Sequence, residues 1–368
     1  MSDVVEAPVL FETLPSGNGF SIGLATLNVP KTLNSLTAEM VDLLLPQLRA
    51  WQDDSAIACV LLRGSGDRAL CAGGDVVQLR NSSLAGDGKA AKFFEEEYRL
   101  DYLIHTYRKP ILVWGHGVVM GGGLGLLAGA SHRVVTAQTR LAMPEVTIGL
   151  FPDVGGTYFL NRMPGRTGLF LALTGASINA SDALFLGLAD RFLDHAQWPQ
   201  LLEALATTAW SDADKHFGQL SRILRDLEAS AGERPASVVR NHYDVIQQLT
   251  DADSLAEIVA NITDYSGGDE WLRRAAATLA SGCPATIGVI YEQLRGGRHL
   301  SLKEVFQREL VISSNCMRFP SFAEGVRALL VDKDKQPKFE PATLPEVTSD
   351  LVAQHFLPPW PVNPLADL

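Results

Sequence analysis

The run Ile111-Leu112-Val113-Trp114-Gly115-His116-Gly117-Val118-Val119-Met120-Gly121-Gly122-Gly123-Leu124-Gly125-Leu126-Leu127-Ala128-Gly129-Ala130 decides the fold. It has the length of a membrane-spanning helix, with only His116 as a polar interruption. Its glycines argue the other way. Gly115, Gly117, Gly121, Gly122, Gly123, Gly125 and Gly129 would each cost a straight helix about 1 kcal/mol relative to alanine. The run therefore reads as a buried strand, a turn and a short helix, and no membrane span is expected.

On either side of this run the pattern alternates. Short β-rich segments at Ser21–Leu27, Ala56–Arg63, Ile111–Trp114 and Arg133–Thr136 are separated by glycine turns and helical stretches, one after Asn34 and one over Ala90–Arg108, which is an α/β signature. Beyond about Trp198 the strands stop. Leu201–Trp210, Lys215–Ala229, Ser254–Ile262, Glu270–Ser281, Thr286–Leu294 and Leu302–Cys316 read as amphipathic helices. The sequence thus divides into an α/β core over 8–200 and a helical region over 201–355, followed by a proline-rich tail expected to be irregular.

Composition narrows the function. A net charge of −11 argues against a phosphate-backbone binder, so no nucleic-acid partner is expected. The acidic opening Met1–Ala7 has neither a basic start nor an apolar core, which predicts neither signal nor transit peptide and a cytoplasmic location. Cys59, Cys71, Cys283 and Cys316 lack CxxC or metal-ligand spacing, so reduced thiols and no metal site are expected. Gly115 and Gly117 are followed by Met120 where a third glycine would complete the dinucleotide fingerprint, which rules out that motif. No P-loop, HExxH or GxSxG sequence occurs, and no bound cofactor is expected.

Chemistry is expected in the next segment, Met143-Pro144-Glu145-Val146-Thr147-Ile148-Gly149-Leu150-Phe151-Pro152-Asp153-Val154-Gly155-Gly156. Its prolines and glycines interrupt any long element, which puts Glu145 and Asp153 on a folded-back loop with short helical turns. A carboxyl group among Val146, Ile148, Leu150 and Phe151 loses water, and its pKa rises toward neutrality. Two such groups suggest a base or nucleophile and an acid. A third carboxylate, Glu97, falls in the apolar stripe of Phe93, Leu100, Ile104 and Tyr107 on the Ala90–Arg108 helix. It either bends out to solvent beside Glu95 and Glu96 or faces a pocket. Two glycine clusters, Leu70-Cys71-Ala72-Gly73-Gly74-Asp75 and Met120–Gly125, each follow a strand and open a helix. Converging N–H groups from both would form an oxyanion hole.

Taken together, these residues resemble the crotonase, or enoyl-CoA hydratase, superfamily, most closely from Glu97 to Phe192. The resemblance implies a spiral of ββα units and an oxyanion hole made by the N–H groups of Gly74 and Gly122. It also implies a catalytic carboxylate at Glu145, and CoA lying along Ala72, Gly74 and the Pro30–Asn34 loop. Lys31 in that loop is a CoA contact or an ordinary surface lysine. Hydratases of this superfamily have a second glutamate three residues after the second oxyanion glycine, where Gly125 stands here. Glu97-Tyr98, the Asp153 segment, Leu171-Ala172-Leu173-Thr174-Gly175 and Phe322-Ala323-Glu324-Gly325-Val326-Arg327-Ala328 to Asp332-Lys333-Asp334 resemble the 3-hydroxyisobutyryl-CoA hydrolase branch instead.

In that branch the residues matching Glu97, Gly122, Glu145 and Asp153 border the substrate. The implied activity is hydrolysis of a short branched β-hydroxyacyl-CoA, as in valine catabolism. Glu145 acts as nucleophile or as general base, and Asp153 protonates the leaving thiolate or binds the substrate hydroxyl. CoA enters as part of the substrate. The main alternative is a hydratase or isomerase on the same scaffold, the other a CoA-binding protein without catalysis. Relatives often form trimers, so a homo-oligomer is possible.

Overall fold

The computed structural model describes residues 7–368, so the acidic opening segment lies outside the described residues except for Ala7. The strands are β1 Val9–Pro15, β2 Ser21–Leu27, β3 Ile57–Gly64, β4 Ala69–Cys71, β5 Ile111–Gly115, β6 Val118–Met120, β7 His132–Val135, β8 Arg140–Ala142, β9 Ile178–Asn179 and β10 Arg191–Phe192. They form a six-stranded sheet of order β1-β2-β3-β5-β7-β10 and a four-stranded sheet of order β4-β6-β8-β9. Each successive strand pair, β3/β4, β5/β6 and β7/β8, gives one strand to each sheet, so the backbone winds as a spiral.

The β1–β2 pair is antiparallel, and the other pairings of the larger sheet are parallel. Parallel strands covered on both faces are apolar at nearly every position, and Ile57 to Leu62 of β3 are all buried. Helix Ala38–Asp53, capped by the Thr37 hydroxyl on the Met40 N–H (3.2 Å), buries Met40, Val41, Leu44, Leu45, Leu48 and Trp51.

The protein folds into two compact units that interleave along the sequence. One comprises the residues up to Gly74, Leu100–Leu141 and Asn179–Ser237; the other comprises Asp75–Arg99, Ala142–Ile178 and Val238–Leu368. Among the described residues every element after Phe192 is helical. Residue 200 is thus near a change in secondary-structure content, whereas the units themselves divide elsewhere. The reason is burial: Leu201, Leu205, Trp210, Leu220 and Leu224 share one core with Ile22, Leu61, Leu112 and Val134 of the sheet, which keeps helices Trp198–Thr207 and His216–Glu228 in the first unit.

Run 111–130 resolves into β5, a turn, β6 and helix Gly122–Ala128. Among the described residues no helix is long and apolar enough to cross a membrane. All four cysteines are free and buried.

Candidate active site

In the first unit the structure brings the two glycine clusters together. Gly73 has φ +108°, and a Cβ built there would sit 3.9 Å from the Gly122 nitrogen. At Gly123 a Cβ would fall 2.3 Å from the Cys71 carbonyl oxygen, a separation that only glycine permits. Gly121 caps helix Gly122–Ala128 with φ +48°, and the first N–H groups of a helix have no acceptor within it. Gly122 is buried, whereas Gly74 and Ala72 are half-buried. The Pro30–Thr32 turn is tied to the first cluster, because Ala72 N–H donates to Leu33 O (3.1 Å) and Leu36 N–H to Gly73 O (2.8 Å). Lys31 on that turn is exposed. Asn34 is fully buried and organises the loop: its Nδ2 donates to Ser65 O (3.1 Å) and Ala69 O (3.0 Å), and its Oδ1 accepts from Val29 N–H (3.0 Å).

The carboxylates occupy the second unit. Glu145 opens a single 3-10 turn, Glu145–Ile148, which ends at Gly149 with φ +71°. The residue is 6% exposed, and its Oε2 has no hydrogen-bond partner among the described residues. Burial, reinforced by the charge of Asp153, holds its pKa well above the usual glutamate value. Asp153 is also buried and is pushed up to about 6 by loss of water, although Tyr98 Oη donates to its Oδ2 at 2.7 Å and favours the ionised form. Glu97 is 2% exposed, so the reading in which it bends out to solvent is corrected. Burial of Phe93, Leu100 and Ile104 on the same stripe fixes that face of helix Lys89–His105 inward.

Several residues that hold this loop were not singled out in the sequence. Glu309, fully buried on helix Leu302–Cys316, accepts Gly155 N–H on Oε2 (2.7 Å) and Thr157 N–H on Oε1 (2.8 Å). Burial pushes it up to about 8 despite those two donors. Gln293 Nε2 donates to Pro152 O (2.6 Å) and to Thr157 Oγ1 (2.8 Å). Between these anchors Val154 is held at φ +50°, a conformation that costs a β-branched residue about 1–3 kcal/mol.

The late motif also finds its physical reason. A Cβ at Gly149 would lie 2.6 Å from both atoms of the Ser321 carbonyl, and one at Gly325 would lie 2.6 Å from the Ile148 backbone. Helix Pro320–Val326 therefore seats directly on the Glu145 turn. Arg327 secures the segment after that helix, pairing with Glu324 (2.8 Å), Asp332 (2.6 Å) and Asp334 (2.7 Å).

A two-sheet spiral with glycine turns opening a buried helix defines a crotonase-fold protein. The chain belongs to the enoyl-CoA hydratase/isomerase family, whose model matches residues 22–356. It is 38% identical to a protein of Danio rerio named "3-hydroxyisobutyryl-CoA hydrolase, mitochondrial", over 97% of this chain and 91% of that one. It is 36% identical to the Homo sapiens protein of the same name, over 91% and 86%. Among solved structures, a carnitinyl-CoA dehydratase from Mycobacterium thermoresistibile superposes with a TM-score of 0.86 at 38% identity, covering 98% of this chain and 99% of that one. An enoyl-CoA hydratase from Rhodobacter sphaeroides 2.4.1 gives 0.82 at 34%, covering 96% and 98%.

Proposed function

We propose that this protein is an acyl-CoA thioester hydrolase that cleaves a short branched β-hydroxyacyl-CoA of the 3-hydroxyisobutyryl-CoA kind to the free acid and CoA, a step of valine catabolism. The observation that carries the reading is the pair of buried carboxyl groups, Glu145 with an unpartnered oxygen and Asp153 held by Tyr98. Relatives named for that activity support it.

In this mechanism the N–H groups of Gly74 and Gly122 stabilise the oxyanion formed at the thioester carbonyl; in other enzymes loss of one such donor costs about 3–4 kcal/mol. Glu145 attacks the carbonyl carbon, forming an anhydride that water then opens, or it takes a proton from the attacking water. Asp153 gives a proton to the departing thiolate or binds the substrate hydroxyl. Glu97 orients that end of the substrate, and Ala72, Gly74 and Lys31 border CoA, which arrives as part of the substrate with no separate cofactor. A cytoplasmic location, supported by four free thiols, and a homo-oligomer belong to the same proposal. The named relatives are mitochondrial, so fractionation of the native source decides the location.

The names of the two solved structures favour a second reading, hydration of an enoyl-CoA. Gly125, buried in helix Gly122–Ala128 where hydratases have a glutamate, speaks against it. Free-thiol release from 3-hydroxyisobutyryl-CoA, run beside loss of double-bond absorbance from an enoyl-CoA, separates the two. Thiol release that disappears in Glu145→Ala is the expected result. Absorbance loss without thiol release overturns the hydrolase. Single-turnover reaction in labelled water places label in Glu145 only if that residue is the nucleophile.

A further inference from the structure

Among the described residues the chain forms no helix or strand after Gln354, yet this last stretch is fastened. Leu365 is fully buried. From helix Lys89–His105 the Arg99 side chain, 15% exposed, forks onto both Asp367 oxygens at 2.9 Å and donates to Pro364 O (2.6 Å). From helix Leu302–Cys316, Lys303 Nζ donates to Ala366 O (2.9 Å) and Gln307 Nε2 to Leu365 O (3.0 Å), while Gln307 O accepts Asn363 Nδ2 (2.8 Å). A bidentate arginine–carboxylate pair fixes geometry as well as charge. Residues Asn363 to Asp367 thus strap one helix to the other.

The same two helices hold Asp153. Tyr98, next to Arg99, donates to Asp153 Oδ2 at 2.7 Å, and Glu309 of the later helix accepts the Gly155 N–H at 2.7 Å. The Tyr98 ring lies 5.9 Å from that of Phe306, next to Gln307. Each strapped residue therefore neighbours one that frames the acid, and all of them belong to the second unit. A hydrogen bond of 2.7 Å is lost once the atoms stand about 3.6 Å apart. A relative shift of the helices by about 1 Å is then enough to end the Tyr98–Asp153 bond.

We infer that the Asn363–Asp367 strap positions Asp153: it fixes helix Lys89–His105 against helix Leu302–Cys316 and thereby sets the Tyr98–Asp153 hydrogen bond, with Arg99, Gln307 and Leu365 as positioning residues. Its effect on turnover rests on the hydrolase reading, whereas its effect on that bond does not. The ionisable groups that interact with Asp153 are Glu145, Tyr98, Glu309 and the Cys316 thiol. None lies in the strap, so a substitution there reaches Asp153 through the helices or through long-range charge. The two routes differ in sign. Deleting the Asp367 carboxylate removes a negative charge and lowers the Asp153 pKa, whereas loosening Tyr98 removes a donor to the ionised form and raises it.

Leu365→Ala and Asp367→Ala in the full chain test this. Each is read by the pH profile of thioester turnover and by the ring-carbon NMR signal of Tyr98, identified by its loss in Tyr98→Phe. Both variants are expected to lower kcat about tenfold with KM little changed, to move the alkaline limb upward and to shift the Tyr98 signal. Adding Tyr98→Phe to either moves the limb no further than Tyr98→Phe alone, and Leu365→Met, which conserves volume, restores the wild-type profile. Asp367 is 70% exposed, so its variant folds even where Leu365→Ala does not. A Tyr98 signal unmoved in the folded variants overturns the inference whatever the activity, as does an alkaline limb that stays in place or moves down. A wild type that releases no thiol removes the hydrolase reading alone, and the Tyr98 signal then decides the strap.

Discussion

Exchanging Glu309 for glutamine changes the chemistry of one group with almost no change in volume. The carboxylate accepts two main-chain N–H groups, at 2.7 Å from Gly155 and 2.8 Å from Thr157. A glutamine amide accepts one and turns its own donors toward the other. Near neutrality burial holds Glu309 largely as the neutral acid, so loss of one neutral bond costs about 0.5–1.5 kcal/mol, and the buried N–H left unmatched adds about 1–3 kcal/mol. Relief of burying a carboxylate offsets part of this, less so below pH 8, where the protonated acid is available. The expected net loss is about 1–4 kcal/mol near neutrality, a large share of ordinary domain stability.

The same substitution has a pH signature. Glu309 rises from 4.5 unfolded to about 8 folded, so the folded state binds the extra proton between those values. Its contribution is greatest below pH 4.5 and is lost as pH climbs through 8, an amount of about 5 kcal/mol at 1.36 kcal/mol per pH unit. Urea unfolding of both proteins from pH 4.5 to 8.5 reads this slope. The wild type loses stability relative to Glu309→Gln across that window, and other groups cancel in the difference. Activity follows geometry: a loop displaced by about 1 Å lowers turnover by up to about a hundredfold with KM little changed. Equal urea midpoints, parallel pH slopes and turnover within about twofold would refute the clamp.

Three further outcomes are expected. Gly149→Ala forces alanine to φ +71° and pushes its Cβ to 2.6 Å from the Ser321 carbonyl, so a loss above about 3 kcal/mol or insoluble protein is expected; a urea midpoint matching the wild type contradicts the packing. Tyr98→Phe removes the donor that favours ionised Asp153, so the alkaline limb of turnover, where the protonated acid is lost, moves upward by about one pH unit; a pH profile that stays put rejects that assignment. All four cysteines are buried and burial raises the Cys59 and Cys316 thiols, so a thiol reagent titrates almost none in native protein and four in denaturant; prompt native labelling overturns this.

Much of the scaffold was legible because its signals are long. β2, β3 and β5 are largely apolar runs bounded by turns, β7 ends in the paired valines Val134 and Val135, and the later helices repeat with helical period over ten or more residues. Strands β4, β6 and β8 were missed because three residues hold no usable alternation, and β1 because Val9–Pro15 is an edge strand that mixes polar side chains and ends in proline. At the site, Glu145 and Asp153 stood out as charges among apolar residues, prolines and glycines. Glu309 obeys the rule that exposed Glu97 to notice, since it shares a stripe with Val305, Ile312 and Cys316, yet neighbouring Lys303, Glu304 and Arg308 disguise the helix as solvent-facing. Gln293 has no charge to mark it. The backbone of Val154 is set by distant anchors, and nothing local announces it.

That valine has a consequence for any ligand that reaches Asp153. A flexible loop would hold its acid in several orientations and would have to be ordered afresh at each encounter, at a loss of affinity. Here Glu309 and Gln293 hold the backbone on either side of Val154 in a twist that the valine resists, and the Tyr98 hydroxyl holds the neighbouring aspartate's Oδ2. The entropy of aiming that acid is thus settled when the protein folds, once in the life of the molecule.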